Sequence, residues 1–257
     1  MEPTPIQRDI INENGNTVVL ASPGSGKTFV MSEKIKRLLR SDDMRDYQGV
    51  IAISYTRKAS IHLKRKSLTD GVREKNSFFG TIDSFCLTQI VLPFGNYLMG
   101  YPEKDVIPIT ENELENERKA DFEWIESIHP DYDAMKEPSW KLLYDLYHEG
   151  YVLINSLELL ALHIIKKCPA CRTHLKARFK YVFFDEFQDA DTYTNGIFHE
   201  LVGLGLIANA VGDPNQSIFG FAHKVSEYLE GLETESGFKA YRLTDNFRCS
   251  APIVNYS

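Results

Sequence analysis

Four groups of residues in this chain have the types and spacing needed to work on a phosphate ester. The first is Ala21-Ser22-Pro23-Gly24-Ser25-Gly26-Lys27-Thr28. Gly24 and Gly26 allow main-chain N–H groups, with those of Ser22 and Ser25, to close around an anion. Lys27 would reach the outer phosphates and the Thr28 hydroxyl would ligate Mg²⁺. The second is Asp185-Glu186-Phe187-Gln188-Asp189, in which Asp185 could hold Mg²⁺ and Glu186 could polarise an attacking water. The third is Gln216, placed to sense a γ-phosphate, and the fourth is Arg248, which could stabilise charge on transferring phosphoryl oxygens. Arg248 alone would serve equally well as a surface salt-bridge partner. Ala21 stands where the general phosphate-loop pattern has glycine, and the alternative for the loop is a chance Gly-Ser turn.

These groups need strands and helices to aim them. Thr17-Val18-Val19-Leu20 reads as a strand and Phe29–Leu39 as a helix, so the glycine loop sits where a phosphate site requires it. Ahead of it, Pro3–Glu13 reads as a short helix capped by Thr4 with Pro5 at its first position. Gln7, one turn in, could read adenine through its amide or could simply be solvated.

Gly49–Ser54 is a buried-strand pattern that empties into Tyr55-Thr56-Arg57-Lys58-Ala59, and Ser77-Phe78-Phe79 empties into Gly80-Thr81-Ile82-Asp83-Ser84-Phe85. In open parallel sheets ligands collect at the carboxyl ends of strands. Aromatics among hydroxyls and cations suit a single nucleic-acid strand, which makes Tyr55, Thr56, Lys58 and Thr81 candidate contacts. For Tyr55 and Phe85, burial in the core is the competing reading. Lys180–Phe184 is a strand ending in the acidic group, and Ala208–Val211 is one that delivers Gly212-Asp213-Pro214-Asn215-Gln216. Phe219 and Phe221 follow and could face a base, and Ala240–Leu243 leads to Asn246-Phe247-Arg248. The pattern is that of an α/β fold with a parallel sheet.

Composition sets the outer limits. The 257 residues are 43% hydrophobic and 25% charged, ordinary for a globular α/β domain with an insertion. No apolar run approaches the roughly 18 residues that span a bilayer, and Met1-Glu2-Pro3-Thr4 does not open a signal peptide. Cys86, Cys168, Cys171 and Cys249 are too few for a disulfide framework and fit a reducing cytoplasm. A net charge of −7 argues against indiscriminate coating of nucleic acid. Arg57, Lys58, Lys64, Arg65, Lys66, Arg73 and Lys75 nonetheless fall in one short span, read either as a track for a phosphate backbone or as a solvated helix face.

From about Phe94 the alternation stops. Residues 95–175 read as a helical insertion with patterns at Ile109–Ile128, Ser139–Tyr147 and Ser156–Ile165 and no strand between them. Within it His163, Cys168, Cys171 and His174 have part of a zinc spacing, but the second pair is too close for a finger, and a turn after a helix fits the residues better.

Taken together, ASPGSGKT, Tyr55-Thr56-Arg57-Lys58-Ala59, Asp185-Glu186-Phe187-Gln188-Asp189, Val211-Gly212-Asp213-Pro214-Asn215-Gln216-Ser217-Ile218 and Asn246-Phe247-Arg248 resemble the motifs of the UvrD/Rep-like branch of superfamily 1 helicases. The resemblance implies a RecA-like P-loop NTPase core over residues 1–94 and 176–257 and an inserted helical subdomain over 95–175. It implies ATP and Mg²⁺ as cofactors and ATP-driven movement along single-stranded or partly single-stranded DNA, commonly 3′ to 5′. Gln7 is similar to the family's adenine-reading glutamine and Phe247 to the aromatic stacked on the base; Gln216 and Arg248 resemble its γ-phosphate sensors. Tyr55, Thr81, Phe219 and Phe221 fall where the family contacts the strand. Asp83, Phe29 and Ala222-His223-Lys224 depart from the common pattern. The Gly-Thr-x-Asp segment and Asn-Phe-Arg-Cys are also similar to the short UvrD-like subunits of Gabija-type anti-phage systems.

Two functions follow as expectations. One is the N-terminal ATP-binding half of a DNA helicase, since the family's second RecA-like domain should come after Arg248; this chain alone is then expected to bind nucleotide with little turnover and no unwinding. The other is a regulatory subunit that senses nucleotide or DNA and gates a partner nuclease. A small-molecule kinase would not need the DEFQD and GDPNQ strings.

Overall fold

The computed structural model describes residues 2–120, 132–135, 137–216 and 226–247. Its strands are β1 (Asn16–Ala21), β2 (Gly49–Ile53), β3 (Phe78–Gly80), β4 (Ile107–Ile109), β5 (Tyr151–Leu153), β6 (Phe179–Phe184), β7 (Ile207–Gly212) and β8 (Phe238–Leu243). The chain forms two compact units, one made of residues 1–81, 176–190 and 201–257, the other of 82–175 and 191–200.

The first unit is organised by a six-stranded sheet in the order β3-β2-β6-β7-β1-β8, and every neighbouring pair is parallel. Parallel strands covered on both faces must be apolar along their whole length, and β2 is buried at every residue. One face carries α1 (Pro5–Asn12), α2 (Lys27–Arg40) and α3 (Arg57–Ser67), whose Ile10, Ile35, Leu38 and Leu63 share a core with Val19, Val50 and Phe183. The helix Ser226–Thr234 packs against β1, β7 and β8. Thr4 caps α1 as the sequence predicts, and Gln7, to which the sequence assigned no capping role, completes a reciprocal capping box. At its far end Glu13 accepts from Lys239 Nζ at 2.8 Å and from the Tyr241 hydroxyl at 3.1 Å, tying α1 to the edge strand β8. The Lys239 bond, aided by the Gly15 amide, pulls the Glu13 carboxyl down to about 2.

A cation is buried deep in this unit. Lys34 is 2% exposed, with its ammonium 3.5 Å from Thr17 Oγ1, which itself donates to Asn209 Oδ1 at 2.8 Å. Burial, with Arg37 nearby, lowers its pKa to about 7.

The second unit is not purely helical. β4 and β5 form a short parallel ribbon, Ile107 beside Tyr151 and Ile109 beside Leu153. Three-residue strands are too short to show a period, so the sequence reading passed over them. Thr110 and Glu113 then make a capping box around a 3₁₀ turn, and helix resumes at residues 116–120 rather than at Ile109; residues 121–128 of that expected helix lie outside the described residues. The boundary expected at 95 also differs from the compact unit, which starts at Ile82 and takes in 191–200. The cause is the π-helical stretch Cys86–Val91, whose Cys86, Ile90 and Val91 are fully buried and which packs on the helix Leu157–Lys167. Phe85 is buried as well, so for this aromatic the core reading holds.

Candidate nucleotide site and strand-end surface

The glycine loop hangs between β1 and α2 and is held from three sides. The Ser22 N–H donates to Leu243 O at 3.0 Å, the Ser25 N–H to Ser22 O at 3.2 Å, and the Phe247 N–H to Gly24 O at 2.9 Å. Gly26, the cap of α2, has φ +91°, a conformation that L side chains rarely adopt. A Cβ there would also lie 2.9 Å from Gln7 Nε2. Gln7 is buried, not solvated: its Nε2 donates to Ser25 O at 3.1 Å while its Oε1 accepts from Thr4 N at 3.1 Å. The residue expected at adenine thus braces the loop from below. Phe247, bonded to the same loop through its backbone, is 46% exposed. Thr28 is half-buried in the first turn of α2.

β6 lies one strand away from β1 across β7, and its carboxyl end brings the acids to the loop. Lys27 Nζ is 3.1 Å from Glu186 Oε2. Glu186 has φ 56° and ψ 43°, a left-handed backbone unusual outside glycine and the kind of strain that accumulates at functional sites. Asp185 continues the ladder, its N–H donating to Ile53 O at 2.9 Å, while its Oδ1 is buried with no partner among the described residues. Burial, then the neighbouring Glu186, pushes the Asp185 carboxyl up to about 6, with Lys27 opposing. Ser25 Oγ and Asp213 Oδ2 are buried and unpartnered too. Three orphaned oxygens at the ends of adjacent strands are costly in a finished core and suit a site built to receive a ligand.

β7 ends in Gly212-Asp213 and the 3₁₀ turn Pro214–Gln216, which leaves Gln216 exposed. Two residues here had no assigned role in the sequence reading. Gln188 is 2% exposed and bridges the ends of β6 and β7, donating from Nε2 to Glu186 Oε2 at 2.9 Å and accepting at Oε1 from Asp213 N at 2.9 Å. Asp213, fully buried, accepts from Asn215 N at 3.0 Å and holds that turn. The available signal was the glutamine inside an acidic string: an amide can donate to one strand end and accept from the next, which the ionised carboxylates around it cannot.

At the other end of the same sheet, β2 and β3 deliver the expected strand contacts. Tyr55 is 56% exposed and Lys58 is exposed. Thr56 has a structural task, its Oγ1 accepting from Ala59 N at 3.1 Å to cap α3. Thr81 is half-buried just past β3. The basic span divides. Lys64 pairs with Glu74 at 2.7 Å, Arg73 with Asp46 at 2.8 Å, and Lys75 donates to Met44 O. The side chains of Arg57, Lys58, Arg65 and Lys66 have no partner among the described residues. Arg248, Phe219 and Phe221 lie outside the described residues.

The zinc-like spacing resolves differently. Both ring nitrogens of His163 are engaged, by Tyr132 and Tyr144 hydroxyls at 2.8 Å each, and its ring stacks on Trp140 at 4.0 Å. Cys168 and Cys171 are buried free thiols, and Pro169 opens the helix Pro169–Arg178 instead of a turn. No group of three metal-ligating side chains exists among the described residues, and no helix among them is long and apolar enough to cross a membrane.

Comparison with known proteins agrees with this arrangement. The chain is 29% identical to Gabija protein GajB of Bacillus cereus over 98% of its own length and 47% of that relative. It is 24% identical to DNA helicase II of Haemophilus influenzae (94% of this chain, 37% of the relative) and 26% identical to ATP-dependent DNA helicase Rep of Escherichia coli (93% and 40%). It therefore spans less than half the length of these relatives. The UvrD/REP helicase N-terminal domain matches at residues 4–151 and 104–235, which together cover most of the sheet and the loops that end it. A parallel α/β core with its phosphate loop facing a strand-end acid pair, matched over that extent, belongs to the UvrD/REP helicase N-terminal domain family.

Proposed function

We propose that this chain is the ATP-binding part of an ATP-dependent DNA helicase or translocase, coupling ATP hydrolysis to 3′-to-5′ movement on single-stranded DNA. The observation that carries the reading is the meeting of Lys27 and Glu186 at 3.1 Å beside the orphaned Asp185 Oδ1. The donor set fits Mg²⁺, a hard cation that takes oxygen ligands, and Thr28 and Asp185 would hold it. When bound, the ion supplies charge neutralisation for the phosphates. The loop amides and Lys27 bind the phosphates, Glu186 orients and deprotonates the attacking water, and Gln216 with Arg248 senses the γ-phosphate. Phe247 stacks on the base and Gln7 reads its edge. Tyr55, Thr56, Lys58 and Thr81, past the ends of β2 and β3, hold the DNA strand together with Phe219 and Phe221.

The test is ATP turnover by the full-length protein with and without single-stranded DNA, beside Lys27→Ala and Glu186→Gln. Hydrolysis that DNA stimulates, and that both substitutions abolish, supports the reading. Turnover equal to that of the substituted proteins removes it.

A second reading, a subunit that senses nucleotide and DNA and gates a partner nuclease in anti-phage defence, is favoured by the likeness to Gabija protein GajB over 98% of the chain. It predicts a stable complex with a neighbouring gene product on co-purification; a monodisperse protein that ignores that product counts against it.

A further inference from the structure

We infer that Gln188 is a positioning residue that couples the water-activating carboxylate of Glu186 to the turn carrying Gln216, so that the two respond to the γ-phosphate together. The inference rests on the ATPase reading above.

The geometry is a single bridge between neighbouring strand ends. β6 and β7 run parallel, with Phe184 beside Ala210, and each leaves the sheet into a 3₁₀ turn, Phe187–Asp189 and Pro214–Gln216. Gln188 spans the gap between these turns. Its Nε2 gives hydrogen bonds to Glu186 Oε2 at 2.9 Å and Asp189 Oδ2 at 3.4 Å, and its Oε1 takes the Asp213 N–H at 2.9 Å. Asp213 in turn sets the second turn, its O accepting from Gln216 N at 3.1 Å and its Oδ1 from Asn215 N at 3.0 Å. A shift of Gln216 therefore pulls on the Asp213 amide, and through one buried, hydrogen-bonded side chain on the carboxylate that activates water.

Three further features support coupling over simple packing. Gln188 is 2% exposed and Asp213 is fully buried, so water cannot replace a broken bond cheaply. Gly212 leaves the room the amide occupies: a Cβ there would lie 2.5 Å from Gln188 Oε1 and 2.7 Å from Leu229 Cδ2. Glu186 takes two bonds on the one oxygen Oε2, from Lys27 Nζ at 3.1 Å and Gln188 Nε2 at 2.9 Å. Those bonds come from Lys27, which a phosphate would draw away, and from Gln188, which a phosphate does not reach for.

The test uses the full-length protein with DNA and compares wild type, Gln188→Ala, Gln188→Glu, Gln216→Ala and Gln188→Ala with Gln216→Ala. Gln188→Glu keeps the volume and the acceptor for Asp213 but cannot donate to Glu186 and repels it. The expected result is a fall in kcat of about 10- to 100-fold in both Gln188 variants, with KM for ATP and nucleotide affinity within about threefold of wild type. The double substitution should lose little beyond the larger single loss, since one coupled unit is broken once. Losses that multiply, an unchanged kcat in either variant, or affinity falling in step with kcat in both would overturn the inference. An inactive wild type would instead count against the ATPase reading itself.

Discussion

Lys27 and Glu186 form an ion pair, Nζ to Oε2 3.1 Å, on the same carboxylate oxygen that accepts from Gln188. The lysine that should grip the phosphates thus rests on the acid that should activate water, and nucleotide must compete for it. Removing only the negative charge should ease that competition. Glu186→Gln is predicted to tighten ATP binding by about two- to fivefold, the worth of a partly exposed ion pair, while lowering hydrolysis at least about 100-fold. Titration with a fluorescent ATP analogue, paired with turnover, checks this; weaker binding, or hydrolysis kept, contradicts it.

Gln7 braces the glycine loop in this structure, and the proposed function also has it read adenine. Gln7→Ala removes the capping box and the bond to Ser25 O together, with an expected loss of about 1–3 kcal/mol in unfolding free energy. If the amide also reads the base, the preference for ATP over GTP should collapse to near parity. Urea unfolding and competition binding separate the two effects, and a variant that is destabilised but still selective would leave Gln7 a brace alone.

Tyr55, 56% exposed, and Arg57, Lys58, Arg65 and Lys66, unpartnered among the described residues, define a surface with a specific salt signature. Tyr55→Ala should weaken single-stranded DNA binding by about 1–3 kcal/mol. Lys58→Ala should reduce the slope of log affinity against log salt by about 0.7 if Lys58 neutralises one phosphate. Anisotropy titrations across salt concentrations read both. A slope unchanged in Lys58→Ala would make this cation part of a solvated face.

Lys34 predicts an unusual pH dependence of stability. Its pKa falls to about 7 in the fold, against roughly 10.4 when unfolded. Between these values the unfolded chain binds the additional proton, so this residue's penalty is full below about pH 7 and fades as pH rises toward 10. Lys34→Met, which removes a buried cation, should stabilise the protein at pH 7 by about 1–4 kcal/mol, and the gap should narrow at pH 9.5. Chemical denaturation at the two pH values checks it, and a gap that stays constant would contradict the buried charge.

Much of the first unit could be read from residues because parallel strands are long apolar runs with polar ends. Thr17–Leu20, Gly49–Ser54 and Lys180–Phe184 sit within a residue or two of β1, β2 and β6. The Thr4 cap was legible too, since a hydroxyl followed by Pro and Gln has few other uses. What escaped was whatever depends on distant partners. β4 and β5 are three residues each and exist through pairing with one another, which no local period reveals. Zinc at His163, Cys168 and Cys171 stayed open as the lesser reading because spacing cannot show that two tyrosines take up the imidazole, and Pro169, where a turn was favoured, is the first residue of a helix. Gln188 was visible as a letter in a motif, but its bridge to Asp213 needs the adjacency of β6 and β7.

The most direct measurement of the central claim is stopped-flow arrival of the full-length protein at the end of single-stranded DNA. The DNA would range in length and carry a fluorophore at either end, and the reaction would start with ATP and Mg²⁺. ATP-driven 3′-to-5′ movement predicts a lag at the 5′ label that grows linearly with length, no such lag at the 3′ label, and no signal from Lys27→Ala. Fluorescence that changes without any dependence on DNA length, in a protein that still hydrolyses ATP, would contradict translocation and leave a nucleotide-driven sensor in its place.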